Sequence, residues 1–101
     1  MDEARTRAWI MYAVELASQT EPATFSAISE IADGINHAVP THKELQSSLG
    51  WLAKQGLVQR CGSGYSVTAI GSETIGAARA GASSAFQIWE SLTASLKAIP
   101  G

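Results

Sequence analysis

The hydrophobic positions change period along the chain, from helical spacing to short alternating runs and back to helical spacing. Residues 3–18 contain neither Gly nor Pro and are rich in Ala, Leu, Met, Arg and Glu, which predicts a first helix. Trp9, Ile10, Ala13, Leu16 and Ala17 recur at helical spacing, and Met11, Tyr12 and Val14 are apolar too, so the polar face is narrow. A helix of that kind needs cover on most sides, from the C-terminal helix or from another chain. Pro22 marks residues 19–23 as a connection. Ser26 is the predicted N-cap of a second helix over 26–35, with Ile28, Ile31, Ala32 and Ile35 on its inner face. Phe25 precedes it as a hydrophobic staple would, and Gly34 stands near its expected stop.

A turn over 36–40 leads into Thr41-His42-Lys43-Glu44, the best local signal in the chain. It fits a capping box, in which the Thr41 hydroxyl accepts from the Glu44 amide and the Glu44 carboxylate accepts from the Thr41 amide. The third helix is predicted over 41–55, with Leu45, Leu49 and Leu52 inward and Gly56 as its left-handed stop. Over 57–68, the runs Leu57-Val58-Gln59-Arg60 and Tyr65-Ser66-Val67-Thr68 flank Cys61-Gly62-Ser63-Gly64 and predict a β-hairpin. Thr68 caps a fourth helix over 69–82, weakened by Gly71, Gly76 and Gly81, with a break near Ser83-Ser84. The last helix is predicted over 85–99, where Ala85, Trp89, Leu92, Leu96 and Ile99 share a packing stripe.

The expected architecture is therefore mainly α with a small β-hairpin, and 101 residues suit a single domain over 1–101. The order of elements resembles winged helix-turn-helix transcription regulators of the MarR and PadR groups. Leu49, Leu52, Gly56-Leu57-Val58, Tyr65-Ser66-Val67-Thr68 and Gly71 carry the resemblance, which spans roughly residues 24–75. It implies a dimeric protein that binds duplex DNA through the third helix and the wing, with the terminal helices packing as a dimerisation layer. The positions it assigns to DNA are Thr41, His42, Lys43, Gln46, Ser47, Lys54 and Arg60. Gln pairs with adenine, Lys with guanine, and hydroxyls with phosphates or bases. The dimer interface is expected at Trp9, Tyr12, Phe86, Trp89, Leu92 and Leu96, because the two terminal helices offer more apolar surface than a small single core hides.

Charge sharpens this picture and supplies the alternative. The formal net charge is −2, against the cationic surplus that phosphate binding draws on. It is unevenly spread: residues 1–40 carry −4, residues 41–79 carry +2, and the remainder is neutral. The wing tip lacks the basic residues usual in DNA-binding wings and has Arg60 alone at its base. The alternative is thus a winged helix used for protein interaction or dimerisation, without DNA.

Other chemistry is thinly represented. No nucleophile elbow, glycine-rich phosphate loop or acid pair appears, so no enzymatic activity is expected. His37 and His42 lack helical metal-pair spacing, and neither a metal nor another cofactor is expected. The single cysteine, Cys61, forms no internal disulfide and reads as incidental rather than as a redox sensor. Acids precede the first apolar run, and no run is long enough to span a bilayer, so the expectation is a cytoplasmic protein off the membrane. Trp51 lies off the leucine stripe, and packing is favoured over a groove-facing role. No residue pattern calls for a small-molecule effector.

Overall fold

The computed structural model describes residues 2–100. Five helices and one hairpin follow in the order α1 (Glu3–Ala17), α2 (Phe25–Asn36), α3 (His42–Lys54), β1 (Val58–Cys61), β2 (Gly64–Val67), α4 (Ala69–Arg79) and α5 (Ala85–Lys97). No described helix is long and apolar enough to cross a membrane.

Local chemistry fixes most of the helix ends. Asp2 caps α1 by accepting from the Arg5 amide at 2.8 Å. At α3 both halves of the capping box are made: the Glu44 amide donates to Thr41 Oγ1 at 3.0 Å, and the Thr41 amide donates to Glu44 Oε1 at 2.8 Å. Ser84 caps α5 through the Gln87 amide. The second helix departs from expectation at both ends. Its cap is Thr24, whose hydroxyl accepts from the Ala27 amide, so Phe25 and Ser26 are already helical. It then runs past Gly34 to Asn36 and stops at His37, which takes the left-handed conformation at φ 55°. The fourth helix ends at Arg79 rather than near residue 82.

β1 and β2 are antiparallel, with Val58 opposite Val67 and Cys61 opposite Gly64. Gly62 leads the two-residue turn at φ +63°, the position where a II′ hairpin turn needs positive φ. A further pairing escaped the sequence. Ala23, in the connection before α2, bridges Tyr65 of β2 through two backbone hydrogen bonds of 2.8 and 2.9 Å. Gly64 permits this approach, since a Cβ there would lie 2.9 Å from Pro22.

The junction from α3 through the hairpin to α4 is equally tight. The Thr68 hydroxyl donates to the Gly56 carbonyl at 2.6 Å and accepts from the Gly71 amide at 3.0 Å, tying the end of α3 to the start of α4. A Cβ on Gly71 would stand 2.0 Å from the Leu57 carbonyl oxygen, which explains the glycine in that part of the motif.

The core centres on α1. Residues Ala8 through Val14 are all buried, and α2, α3 and α5 each pack against the helix. Trp9 donates its indole N–H to the Ala32 carbonyl on α2 at 2.8 Å, and Trp89 on α5 donates to the Arg5 carbonyl at 2.8 Å. The two indoles lie 6.2 Å apart, centroid to centroid. Arg79 at the end of α4 forms an ion pair with Glu15 of α1, and this hydrogen bond holds the guanidinium pKa above its ordinary value.

This packing takes up most of the residues expected at a dimer interface. Trp9, Tyr12, Trp89, Leu92 and Leu96 are all buried within the one chain, so they present no surface to a second copy. The apolar surplus of α1 is taken up by the chain's own C-terminal helix. Of the six residues proposed, Phe86 alone is exposed, at 53%.

Candidate nucleic-acid interface

α3 buries Leu45, Ser48, Leu49 and Leu52 and turns its opposite face outward. With 100° per residue, Lys43, Gly50 and Lys54 fall within about 40° of one another and form the midline of that outer face. All three are exposed. Gln46 lies to one side of the midline and Ser47 to the other, both exposed. The one acidic residue of α3, Glu44, is turned back into its own capping box.

Two concavities flank this ridge. On the hairpin side lies an open groove of about 510 Å³ lined by Phe25, Gln46, Gly50, Arg60, Ser63 and Tyr65. Its floor is aromatic: the Phe25 and Tyr65 rings stack with centroids 6.1 Å apart and an interplanar angle of 24°. The ring of His42 adjoins Phe25 at 5.6 Å. The Ala23–Tyr65 bridge positions the stack by holding β2 against the residues that lead into α2. On the α1 side lies a smaller concavity of about 170 Å³, whose lining includes Glu3, Arg7, Lys43, Ser47 and Ser48. Arg7 reaches it from α1, with its guanidinium carbon 4.2 Å from the centre of the half-buried Trp51 ring. Its Nη2 also donates to Glu3 Oε2 at 3.1 Å.

The residues assigned to DNA from sequence fall into four groups on and beside α3. Gln46 and Arg60 share the hairpin groove, and Lys43 and Ser47 border the α1 concavity. Lys54 lines neither and stands at the far end of the midline. Thr41 and His42 sit at the helix start, where the Thr41 hydroxyl is committed to the cap and His42 packs beside Phe25. Arg60 donates its Nε–H to the Gly62 carbonyl at 3.3 Å, so its side chain lies back along its own turn. Cys61 is half-buried with its Sγ 3.4 Å from Ser66 Oγ.

Phe25, Tyr65 and Arg7 are the surface-forming residues that sequence reasoning left out of the site. Phe25 and Tyr65 meet only through the long-range bridge, which no local pattern encodes. Arg7 carried a weak signal, as the i+4 partner of Glu3 on a mainly apolar helix. Among the described residues no group of three His, Cys, Asp or Glu side chains is placed to hold a metal ion. No protein-family model, curated protein or solved structure matches the chain.

Proposed function

We propose that the chain is a winged helix-turn-helix protein that binds duplex DNA, with α3 in the major groove and the β1–β2 hairpin against the phosphate backbone, in the manner of a transcriptional regulator. The observation that carries this reading is the outer face of α3: Lys43, Gln46, Ser47 and Lys54 stand exposed along it, with its one acid spent in a cap and with Arg60 across a groove. A protruding helix bearing Lys, Gln and Ser has the donors and acceptors that major-groove edges and phosphates require. The reading is made for a single chain, because the apolar surface that called for a second copy lies in the core.

The test is a titration of a fluorescently labelled random-sequence duplex at low salt, repeated across a salt series. Three cations, Lys43, Lys54 and Arg60, give an expected salt slope of about −2 to −3. Lys43→Glu with Arg60→Glu should weaken binding more than about 10-fold, since two contacts become two repulsions. A folded wild-type chain that leaves the duplex free at low salt would sink the reading.

One observation favours the second reading, a protein-interaction module. The hairpin tip is Gly62-Ser63 and carries no cation, while the chain as a whole is acidic at −2. On that reading the titration stays flat and the double charge reversal changes nothing.

A further inference from the structure

We propose that Arg7, carried on α1, is a phosphate-contacting residue for the DNA strand on the side of α3 away from the hairpin, held in place by Trp51 and masked by Glu3. This rests on the duplex reading above and extends it to a helix that the resemblance leaves out of the DNA surface.

A helix in the major groove, about 12 Å wide, has a phosphate backbone on each side of it. On one side of α3 the hairpin offers Arg60. On the other, the α1 concavity offers Arg7 next to Lys43 and Ser47 of α3 itself. Arg60 and Arg7 therefore flank the same exposed ridge, one on each side. Arg7 is also constrained as a positioned donor should be: its side chain is 22% exposed and its guanidinium lies over the Trp51 ring at 4.2 Å. Stacking on an aromatic face leaves the edges of the guanidinium fork for hydrogen bonds.

One donor of that fork is occupied by Glu3, at 3.1 Å. The Glu3 side chain is 85% exposed, and an exposed i,i+4 ion pair is weak and readily exchanged. A carboxylate and a phosphate oxygen make the same charge-assisted contact with Arg. Glu3 thus occupies the place of a backbone phosphate in the free protein and is displaced when the duplex arrives. It lowers affinity without contributing a contact of its own.

The experiment compares wild type, Arg7→Gln, Glu3→Gln and Glu90→Gln in the same duplex titration across salt, with far-UV circular dichroism reporting the fold of each. Glu90 is an exposed acid on α5 that lines neither flanking concavity and controls for the simple change in net charge. Arg7→Gln should weaken binding about 3- to 10-fold and reduce the magnitude of the salt slope by about 1. Glu3→Gln should tighten binding about 3-fold, and Glu90→Gln should leave it unchanged. Should Arg7→Gln fail to fold, the surface substitution Glu3→Gln decides alone. Superimposable curves for wild type and Arg7→Gln, or equal gains from Glu3→Gln and Glu90→Gln, would overturn the assignment of Arg7 while leaving the duplex reading intact if Lys43→Glu with Arg60→Glu still weakens binding more than about 10-fold. A wild-type chain that does not bind overturns both.

Discussion

α1 and α3 are helices of 15 and 13 residues that touch each other, yet they use their side chains in opposite ways. α1 buries eight residues around most of its circumference, beneath α2, α3 and α5. α3 buries four on one face and leaves its other face to solvent. Composition alone would rank α1 as the surplus apolar helix looking for a second chain, and in the fold the chain itself covers that surplus. Leu92, Leu96 and Trp89 of α5 return across the length of the sequence to cover it. An all-round apolar helix signals a central position, and the covering element need not be near in sequence or in another molecule. The helix free to meet a partner is the one that spends only part of its surface on the core.

The contrast predicts that substitutions in α1 and its supports act on stability, whereas those on the outer face of α3 act on binding alone. Trp9→Ala should have the largest effect. Trp9 is 2% exposed and donates its indole N–H to the Ala32 carbonyl, so truncation leaves a cavity and removes a buried hydrogen bond between α1 and α2. A loss of about 3–5 kcal/mol is expected, read from the shift in urea midpoint. Full retention of stability would show that the α1–α2 seam is not the centre of the core.

Gly71→Ala comes next and probes the support beneath the hairpin. The added Cβ would meet the Leu57 carbonyl oxygen at 2.0 Å, a backbone atom that moves only if α4 or β1 moves. Overpacking of this kind costs about 1–3 kcal/mol. Because Gly71 lies on none of the concavities flanking α3, any change in duplex affinity should follow the fraction folded, as measured by thermal melting at the temperature of the titration. Affinity lost from a fully folded variant would place the α4 junction in the binding surface and blur the division.

On the open face the expected balance reverses. Lys43→Ala with Gln46→Ala removes two exposed side chains from a helix whose caps and leucine face are untouched. Stability should change by no more than about 0.5 kcal/mol, with Ala slightly favouring the helix. Duplex affinity should nonetheless fall several-fold, through the loss of one phosphate or base contact and one possible bidentate pair. A large drop in urea midpoint would mean that this face carries structure as well as recognition.

How much of this division was legible beforehand depends on the range of each interaction. The capping box at Thr41–Glu44 and the stop at Gly56 are built from residues at most a few positions apart, and the sequence displays them directly. So is the hairpin turn led by Gly62. The cap of α2 was misplaced by two residues because Thr24 and Ser26 are equally good caps in isolation; Thr24 follows directly on Ala23, which is pinned to Tyr65 across 41 intervening residues rather than by any local motif. The aromatic floor under the hairpin groove was hidden for the same reason, since Phe25 and Tyr65 become neighbours only through that bridge. Arg7 joins α3 only once α1 is seated against it, so the α1 side of the candidate surface had no signature of its own.

The smallest expected effect lies at Asp2, where the closed half of the molecule carries a titrating group. Asp2 Oδ1 accepts from the Arg5 amide, and its Oδ2 lies 3.4 Å from Lys97 Nζ, so one exposed carboxylate joins the start of α1 to the end of α5. The amide hydrogen bond is the main cause of a pKa below the ordinary aspartate value; the charge of Lys97 adds to it, and partial desolvation opposes it. A carboxylate with a depressed folded pKa binds protons less readily than in the unfolded chain. Its contribution is therefore present above the unfolded value of about 3.9 and is lost as pH falls through the lower folded value. Asp2→Asn separates the charge from the cap, because Asn caps a helix nearly as well but does not titrate. At neutral pH the variant should melt slightly below wild type. Below about pH 4 the wild-type melting temperature should fall more steeply than that of Asp2→Asn, and the two curves should converge as the carboxylate is protonated. Parallel curves throughout the acid range would mean that the α1–α5 clasp owes nothing to the charge and that the closed half is held by packing and caps alone.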